Sequence, residues 1–195
     1  MTTGKLTKRK LQAINTKKEI YKAALSLLAE EGFENLTIEK IGRRAGVSVG
    51  TFYHYYKTKN DILEEVFQRG DEYFRKHVEN NIAGSGAIER IVSYFDHFAK
   101  FYIANGVDVT KALYTTHIIH FADDTRLMWS ILQKIVNEGR ARKELTTTLE
   151  PREITDILFI AARGLAYNWC MNNGEYPLDQ AMHKYMVFVS RALLP

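Results

Sequence analysis

Apolar residues recur at intervals of three and four along almost the whole chain, and this spacing predicts amphipathic helices. In the first of these segments, Ile20, Ala23, Ala24, Leu27 and Leu28 form one apolar stripe. No segment alternates apolar and polar residues for the length of a typical strand. The pattern therefore predicts an all-α fold with about nine helices.

Capping residues and helix breakers set the expected bounds of these helices. Thr16 and Glu19 form a capping box that predicts the start of the first helix, and Gly32 predicts its end. Asp124 is suited to cap the seventh helix, and Pro151 is suited to the first position of the eighth. The predicted helices cover about residues 16–32, 38–45, 49–55, 60–82, 87–105, 108–122, 124–139, 151–172 and 178–194.

The stretch Thr37–Lys59 predicts two short helices around a tight turn. Thr37 is a good N-cap for the first of them, and Ser48 is a good N-cap for the second. Between them, Gly46 can end a helix in a left-handed conformation at little cost. Helix, short glycine-containing turn and helix form the supersecondary unit that places its second helix in the DNA major groove.

The second helix of this unit divides into an apolar and a polar side. Val49, Phe52 and Tyr56 are expected to face inward, which leaves small, hydroxyl and aromatic residues for DNA bases and phosphates. The alternative is two small core helices whose aromatic residues only fill space. The residues predicted to contact DNA are Thr37, Arg44, Ser48, Val49, Gly50, Thr51, Tyr53, His54, Tyr55 and Lys59.

Residues Leu36–Lys59, LTIEKIGRRAGVSVGTFYHYYKTK, resemble the DNA-binding motif of the TetR family of bacterial transcription regulators. The resemblance extends from about Thr16 to Leu63. Tyr56 stands where the family pattern often carries Phe, a difference expected to change little because both side chains can pack. The resemblance implies a helix-turn-helix head in residues 1–59 and a helical ligand-binding and dimerisation domain in residues 60–195.

The net charge of +4 conceals an asymmetry between the two ends of the chain. Residues 1–60 contain 12 Lys and Arg against 5 Asp and Glu, a net +7, whereas residues 61–195 contain 15 against 18, a net −3. A basic head on a mildly acidic body is typical of a DNA-binding domain, although a solvated charged surface is the alternative. The first residues add a basic arm that is expected to lack structure by itself.

Composition indicates an ordinary globular protein, with 46% hydrophobic and 26% charged residues. No apolar run is long enough to span a membrane, and the N-terminus lacks the apolar core of a secretory signal. The single cysteine, Cys170, excludes an intramolecular disulfide, so a cytoplasmic location is expected.

The last two predicted helices are the most apolar long segments, and the small residues Ala161, Ala162, Gly164 and Ala166 would allow another helix to approach closely. They belong either to the core of a monomer or to a four-helix interface between two chains. The resemblance implies the dimer. Two reading helices about 34 Å apart also bind DNA more specifically than one. We therefore predict a homodimer through residues 151–194.

Aromatic residues of the C-terminal body are interleaved with polar ones and predict an apolar cavity for a small ligand, which the resemblance also implies. The alternative is that most of them are ordinary core residues. Arg163, in an apolar stretch, suggests an acidic group on the ligand or a nearby acidic side chain. The predicted ligand-binding residues are Tyr94, Phe98, Phe101, Tyr102, His117, Phe121, Met128, Trp129, Arg163 and Tyr167.

His117 and His120 are three residues apart, which could place two imidazoles on one helix face. Because no cysteine cluster or Glu-x-x-His motif accompanies them, neither a metal site nor a cofactor is expected.

The sequence thus predicts a repressor that binds a near-palindromic operator in double-stranded DNA as a homodimer and is released by a small apolar or aromatic effector. Repression is the commoner outcome in the family that the chain resembles. An activator, or a regulator without a ligand, is the alternative within the same fold. No catalytic motif supports an enzyme, and the basic reading face argues against an adaptor that has lost DNA binding.

Overall fold

The computed structural model describes residues 7–116 and 126–195, which form nine helices and contain no strand. The predicted all-α class is therefore confirmed. The chain divides into two compact units, one ending at Glu65 and the other beginning at Val66. This division lies inside the fourth helix, whereas the sequence places the domain boundary between residues 59 and 60.

The first unit contains α1 (Lys8–Glu31), α2 (Ile38–Ala45), α3 (Val49–Tyr55) and the beginning of α4 (Asn60–His77). Its apolar stripes meet in a small core, because each helix has one face that is unfavourable in water. The buried residues of this core include Ile20, Ala24, Leu28, Leu36, Ile41, Phe52, Ile62 and Leu63.

The start of α1 differs from the prediction. Thr7 caps the helix, since its hydroxyl accepts from the backbone N–H of Lys10 at 3.4 Å. Thr16 lies inside the helix, where its hydroxyl donates to the carbonyl oxygen of Gln12 at 3.0 Å. The capping box at Thr16 is therefore a wrong prediction, and the basic arm is helical from Lys8. The Lys, Arg, Leu, Gln and Ala residues of this stretch favour helix by intrinsic propensity.

A buried carboxylate joins three helical segments of the first unit. Tyr56, the C-cap of α3, donates its hydroxyl to Oε2 of Glu65 on α4 at 2.6 Å. Nζ of Lys17 on α1 lies 2.9 Å from the same oxygen, and Glu65 is only 7% exposed. The expectation that Tyr56 acts like Phe is therefore wrong, because its hydroxyl supplies a hydrogen bond that Phe lacks.

The second unit contains the rest of α4 with α5 (Ala87–Asn105), α6 (Val107–Thr115), α7 (Leu127–Ala141), α8 (Pro151–Met171) and α9 (Leu178–Arg191). α5 is central, because it contacts α6, α7, α8 and α9. The buried aromatic residues of α5 are Tyr94, Phe95, Phe98, Phe101 and Tyr102. The predicted bounds of α5 are confirmed, and those of α8 are confirmed to within one residue.

Other helix ends differ from their predictions. α4 ends at His77 rather than near residue 82, because the N–H groups of Val78 and Glu79 both donate to the carbonyl oxygen of Phe74. α9 ends at Arg191 rather than near residue 194. α6 ends at Thr115 and Thr116 is extended, so the prediction that this helix continues to residue 122 is wrong. The predicted Asp124 cap and residues 117–122 lie outside the described residues.

Two glycines lie inside helices because neighbouring side chains occupy the space of a Cβ. A Cβ on Gly70 in α4 would lie 3.1 Å from Cζ of Phe101. One on Gly139 would lie 2.5 Å from the Cβ of Ala87, and α7 continues past this glycine to Ala141, beyond its predicted end. Glycine thus allows close packing at both positions.

Replacing Tyr56 by Phe is expected to lower the free energy of unfolding of the first unit by about 1–3 kcal/mol, because buried Glu65 loses a donor. Urea unfolding followed by circular dichroism measures this change. In the matched control, Tyr53→Phe, the hydroxyl belongs to an exposed residue, and a change within about 0.5 kcal/mol is expected. Equal stability of the Tyr56→Phe variant and the wild type would contradict the role of this hydroxyl.

Candidate functional site

The turn between α2 and α3 has the geometry that its sequence predicts. Thr37 caps α2 by accepting from the N–H of Lys40 at 3.3 Å, and Ser48 caps α3 by accepting from the N–H of Thr51 at 3.1 Å. Gly46 adopts a left-handed conformation with φ of 69°, which a residue without Cβ tolerates. These contacts fix the direction in which α3 leaves the turn.

α3 presents most of its length to solvent. Phe52 is fully buried and anchors the helix, whereas Tyr53 is 52% exposed and Val49 is 38% exposed. The expectation that Val49 faces inward is therefore wrong, because only Phe52 and the capping residue Tyr56 enter the core. The other predicted contact residues on this helix are exposed at Gly50 and His54 and half-buried at Thr51 and Tyr55. The first two residues of the helix are therefore exposed, while the Thr51 hydroxyl lies 2.9 Å from that of Ser48.

Two predicted DNA-binding cations contact their own chain. Arg44 forms a bidentate pair with Glu30, with Nη1 and Nη2 each 2.7 Å from a carboxylate oxygen. Nζ of Lys59 donates to the carbonyl oxygen of Phe33 at 2.9 Å and lies 4.6 Å from the centre of its ring. Their roles in DNA binding stay predictions. Lys57, an exposed cation two residues after the end of α3, is not among the residues that the sequence predicts to contact DNA.

The pair between Glu30 and Arg44 also changes the pKa values of both groups. The hydrogen bonds from Arg44, with a further one from Ser26, lower the pKa of Glu30 from 4.5 to about 2. The same contact raises the pKa of Arg44. The pair therefore stays ionised at all physiological pH values and ties α1 to the end of α2.

A cavity opens in the second unit between aromatic side chains. It encloses about 480 Å³ of space that includes open solvent at its mouth, but only about 30 Å³ is accessible to the centre of a water molecule. This is room for about one or two water molecules, so a larger ligand must move side chains. Its lining residues are Phe67, Gly70, Phe98, Phe101, Tyr102, Leu113, Arg126, Met128, Trp129, Phe159 and Arg163.

The structure brings together six of the ten residues predicted to bind a ligand. These six are Phe98, Phe101, Tyr102, Met128, Trp129 and Arg163. Tyr94 is fully buried and does not line the cavity, because its hydroxyl donates to the carbonyl oxygen of Met128 at 2.8 Å. Tyr167 is also absent from the lining; it is exposed and its ring lies 6.0 Å from that of Tyr114. His117 and Phe121 lie outside the described residues.

The sequence interpretation missed five lining residues: Phe67, Gly70, Leu113, Arg126 and Phe159. Phe67 and Phe159 follow the helical period and are indistinguishable in sequence from core residues. Arg126 directly precedes α7, so the apolar period of the helices gives no information about its position. Only a known contact across the fold could have identified it.

Two arginines contribute to the cavity wall. Arg126 and Arg163 both line it, and none of the lining residues among those described is acidic. Burial raises the pKa of Tyr102, with opposing effects from Tyr114 and the two arginines, and burial raises the pKa of Tyr114 further still. The two phenol groups therefore stay neutral near pH 7, and the Tyr114 hydroxyl donates to that of Tyr102 at 3.3 Å. Such a wall suits an apolar ligand that carries an anionic group.

The outer face of the last two helices is apolar and exposed. Ile160 on α8 is 68% exposed, and Phe188 on α9 is 76% exposed. A Cβ at Gly164 on α8 would meet no atom within 4 Å, so the backbone is open to another chain there. Further exposed apolar residues on these helices are Ile157, Tyr167, Met171 and Tyr185.

Within residues 7–116 and 126–195, no group of three His, Cys, Asp or Glu side chains is arranged to hold a metal ion. The candidate pair His117 and His120 lies outside those ranges. The described helices also include none with the length and apolar composition needed to cross a membrane.

A comparison with protein families gives a match in the first part of the chain. The sequence profile of the family described as bacterial regulatory proteins, tetR family, matches residues 20–66. This range contains the capped turn and the exposed α3 helix described above.

Relatives also match over most of the chain. The HTH-type transcriptional repressor KstR2 of Mycolicibacterium smegmatis is 23% identical, over 91% of this chain and 90% of that repressor. The fatty acid metabolism regulator protein of Bacillus subtilis is 25% identical, over 82% of this chain and 86% of its own length. The crystal structure of the Bacillus subtilis regulator FadR in complex with stearoyl-CoA has a TM-score of 0.72 at 24% identity, covering 87% of this chain and 95% of that one. The last comparison shows a shared fold.

The stability of the first unit is expected to fall as the pH decreases from 4.5 to 2. Because folding lowers the pKa of Glu30 to about 2, its pair with Arg44 contributes fully above pH 4.5 and is lost as the carboxylate gains a proton. Thermal unfolding of the wild type and of Glu30→Gln across this range measures the contribution. The variant is expected to lose part of the pH dependence, and the control Glu34→Gln is expected to retain it. An unchanged pH dependence in Glu30→Gln would contradict this assignment.

Proposed function

Because the chain belongs to the TetR family of bacterial regulatory proteins, as its sequence predicts, we propose that it is a transcriptional regulator that binds operator DNA and responds to a small ligand. The observation that carries this proposal is the capped helix-turn-helix with an exposed α3 helix, in a basic N-terminal region. Repression is its expected effect, since the similar KstR2 proteins are named transcriptional repressors. Activation, or regulation without a ligand, is the alternative within the same fold.

α3 is proposed to enter the major groove by its N-terminal end. Gly50 leaves room for the DNA backbone, and Thr51 offers a hydroxyl and a methyl group to a base edge. Tyr53, His54 and Tyr55 are proposed to donate to phosphate oxygens, and such contacts position a helix without reading sequence. Thr37 and Ser48, at the N-termini of α2 and α3, are suited to flank a phosphate.

Two chains are proposed to associate through residues 151–194. The exposed apolar face around Ile160 and Phe188 supports this assembly, because isolated chains rarely leave such a surface in water. A symmetric dimer carries two α3 helices and therefore fits a near-palindromic operator with half-sites about 34 Å apart. Residues 1–59 then form the DNA-binding domain, and residues 60–195 the dimerisation and ligand-binding domain.

The effector is proposed to enter the cavity between α4, α5, α6, α7 and α8. Its aromatic lining suits an aryl or alkyl body, and its arginines suit a polar head. The similar FadR structure is described as a complex with stearoyl-CoA, which makes acyl thioesters one candidate class. A long acyl chain requires more space than the present cavity provides, so binding must move lining side chains.

The response to the effector is proposed to pass along α4. This helix supplies Phe67 and Gly70 to the cavity wall, and its first turns pack in the DNA-binding unit. An effector that binds better when α4 is displaced shifts the population towards that state and lowers operator affinity. The proposed activity requires neither a catalytic residue nor a cofactor. Because its proposed partner is operator DNA, the proposed location of the protein is the cytoplasm.

Changing Thr51 to Val is expected to remove about 1–3 kcal/mol of discrimination at one base position, because the side chain loses its hydroxyl and keeps its shape. Fluorescence anisotropy with the region upstream of the protein's own coding sequence, and with single-base variants of it, measures this loss. Tyr53→Phe is the matched control, since loss of a phosphate contact weakens binding equally on all sequences. Equal losses on every operator variant would contradict a base contact by Thr51, and no binding by the wild type would contradict the proposed function.

Changing Phe188 to Glu is expected to convert the dimer into monomers, because a carboxylate cannot be buried in an apolar interface without a partner. Light scattering at micromolar concentration should give twice the chain mass of 22.5 kDa for the wild type and 22.5 kDa for the variant. Leu11→Glu, at an exposed apolar residue of α1, is the matched control and should remain dimeric. A monomeric wild type would contradict this interface.

A further inference from the structure

Arg126, directly before α7, holds α4 by its guanidinium group. Nη2 donates to the carbonyl oxygen of Phe67 at 2.7 Å and to Oδ2 of Asp71 at 2.9 Å, and Nε donates to the same Oδ2 at 3.2 Å. The guanidinium carbon also lies 4.7 Å from the centre of the Phe67 ring. One side chain thus contacts two successive turns of the helix that lines the cavity.

The pair between Arg126 and Asp71 is incompletely satisfied. Both guanidinium N–H groups converge on Oδ2, while Oδ1 is buried and has no hydrogen-bond partner among the described residues. The pair of Arg44 with Glu30 shows the alternative, in which each carboxylate oxygen receives its own donor. A buried oxygen without a donor weakens a contact, because its lost hydration is not replaced. Asp71 is therefore a partner that a better-placed anion can displace.

The cavity provides a path for such an anion. Arg126 and Arg163 both line it, and the guanidinium of Arg163 is stacked 4.8 Å from the centre of the Phe159 ring. The two arginines are the charged side chains of the lining, and none of the lining residues among those described is acidic, so the guanidinium groups are what an anionic head would contact there. An oxyanion with two free oxygens can then accept both N–H groups of Arg126 in the bidentate geometry that Asp71 does not achieve.

We propose that the effector carries an anionic oxygen group and that this group replaces Asp71 as the partner of Arg126. The exchange releases α4 at Asp71 and gives the effector its differential affinity for the displaced state of this helix. Arg126 is then both the residue that selects acids and the contact that couples their binding to α4. This inference rests on the proposed function, since it names the chemistry that controls the same cavity.

The ligand requirement is tested with two acid–amide pairs that differ only in charge, and with one thioester pair that differs only in its acyl chain. Thermal shift and calorimetry compare 4-phenylbutanoate with 4-phenylbutanamide, octanoate with octanamide, and lauroyl-CoA with free CoA. At least one acid is expected to bind about 10–100-fold more tightly than its amide, and Arg126→Gln should abolish the preference. Binding of lauroyl-CoA alone, weakened in this variant, would identify phosphate as the anion instead of carboxylate. Equal binding of acids and amides, binding that does not depend on Arg126, or no binding by any probe would overturn the proposal.

The coupling is tested without any ligand. Asp71→Asn removes the carboxylate from Arg126 and is expected to lower operator affinity about 5–50-fold, as a bound acid would. Glu138→Gln is the matched control, because it breaks a partly buried pair with Arg90 at 2.6 Å that neither lies on α4 nor lines the cavity. Arg126→Lys provides a second variant that keeps the charge and loses the planar fork.

Different results would contradict the exchange at Arg126 and the proposed regulatory function. If the wild type binds its operator but Asp71→Asn binds it equally well, the exchange at Arg126 is wrong and the proposed regulator stands. If the wild type does not bind its own upstream region, the proposed function itself is wrong. Circular dichroism melts of each variant confirm that a loss of affinity does not reflect a loss of fold.

Discussion

The buried carboxylate of Glu65 is the contact on which the placement of the reading helix depends. A carboxylate that is 7% exposed is costly unless its oxygens are bonded, so it constrains the groups that surround it. Tyr56 at the end of α3 and Lys17 on α1 meet this requirement at 2.6 and 2.9 Å. The three segments are therefore held in one arrangement, and the exposed side of α3 keeps a fixed direction relative to α1 and α4.

The same helix that carries Glu65 continues to the cavity wall. Asp71 follows Glu65 by six residues, which is about 9 Å along an α-helix. Phe67 and Gly70 lie between them and line the cavity, where Gly70 allows the ring of Phe101 to approach the helix backbone. One helix thus carries Glu65 in the first unit and Asp71 in the second.

Local signals allowed much of this structure to be predicted from the sequence. The backbone freedom of Gly46, the capping hydroxyl of Ser48 and the apolar ring of Phe52 predict the turn and the buried side of α3. The large number of aromatic residues in α5 predicts a cavity. Contacts between distant residues could not be predicted. The hydroxyl of Tyr56 contributes more than a Phe ring would because Glu65 lies beside it in the fold. Arg126 likewise contacts Asp71, which is 55 positions away in the chain. Tyr94 follows the same period as its cavity-lining neighbours, yet it does not line the cavity and its hydroxyl donates to the carbonyl oxygen of Met128.

We propose that two α3 helices read a symmetric DNA site and that a ligand in the cavity controls their binding. Footprinting of the region upstream of the protein's own coding sequence tests this proposal. Two protected half-sites are expected, related by near-palindromic sequence and about 34 Å apart or a multiple of that distance, with protection lost when a cavity ligand is added. A single protected half-site, or no protection at micromolar protein, would contradict it.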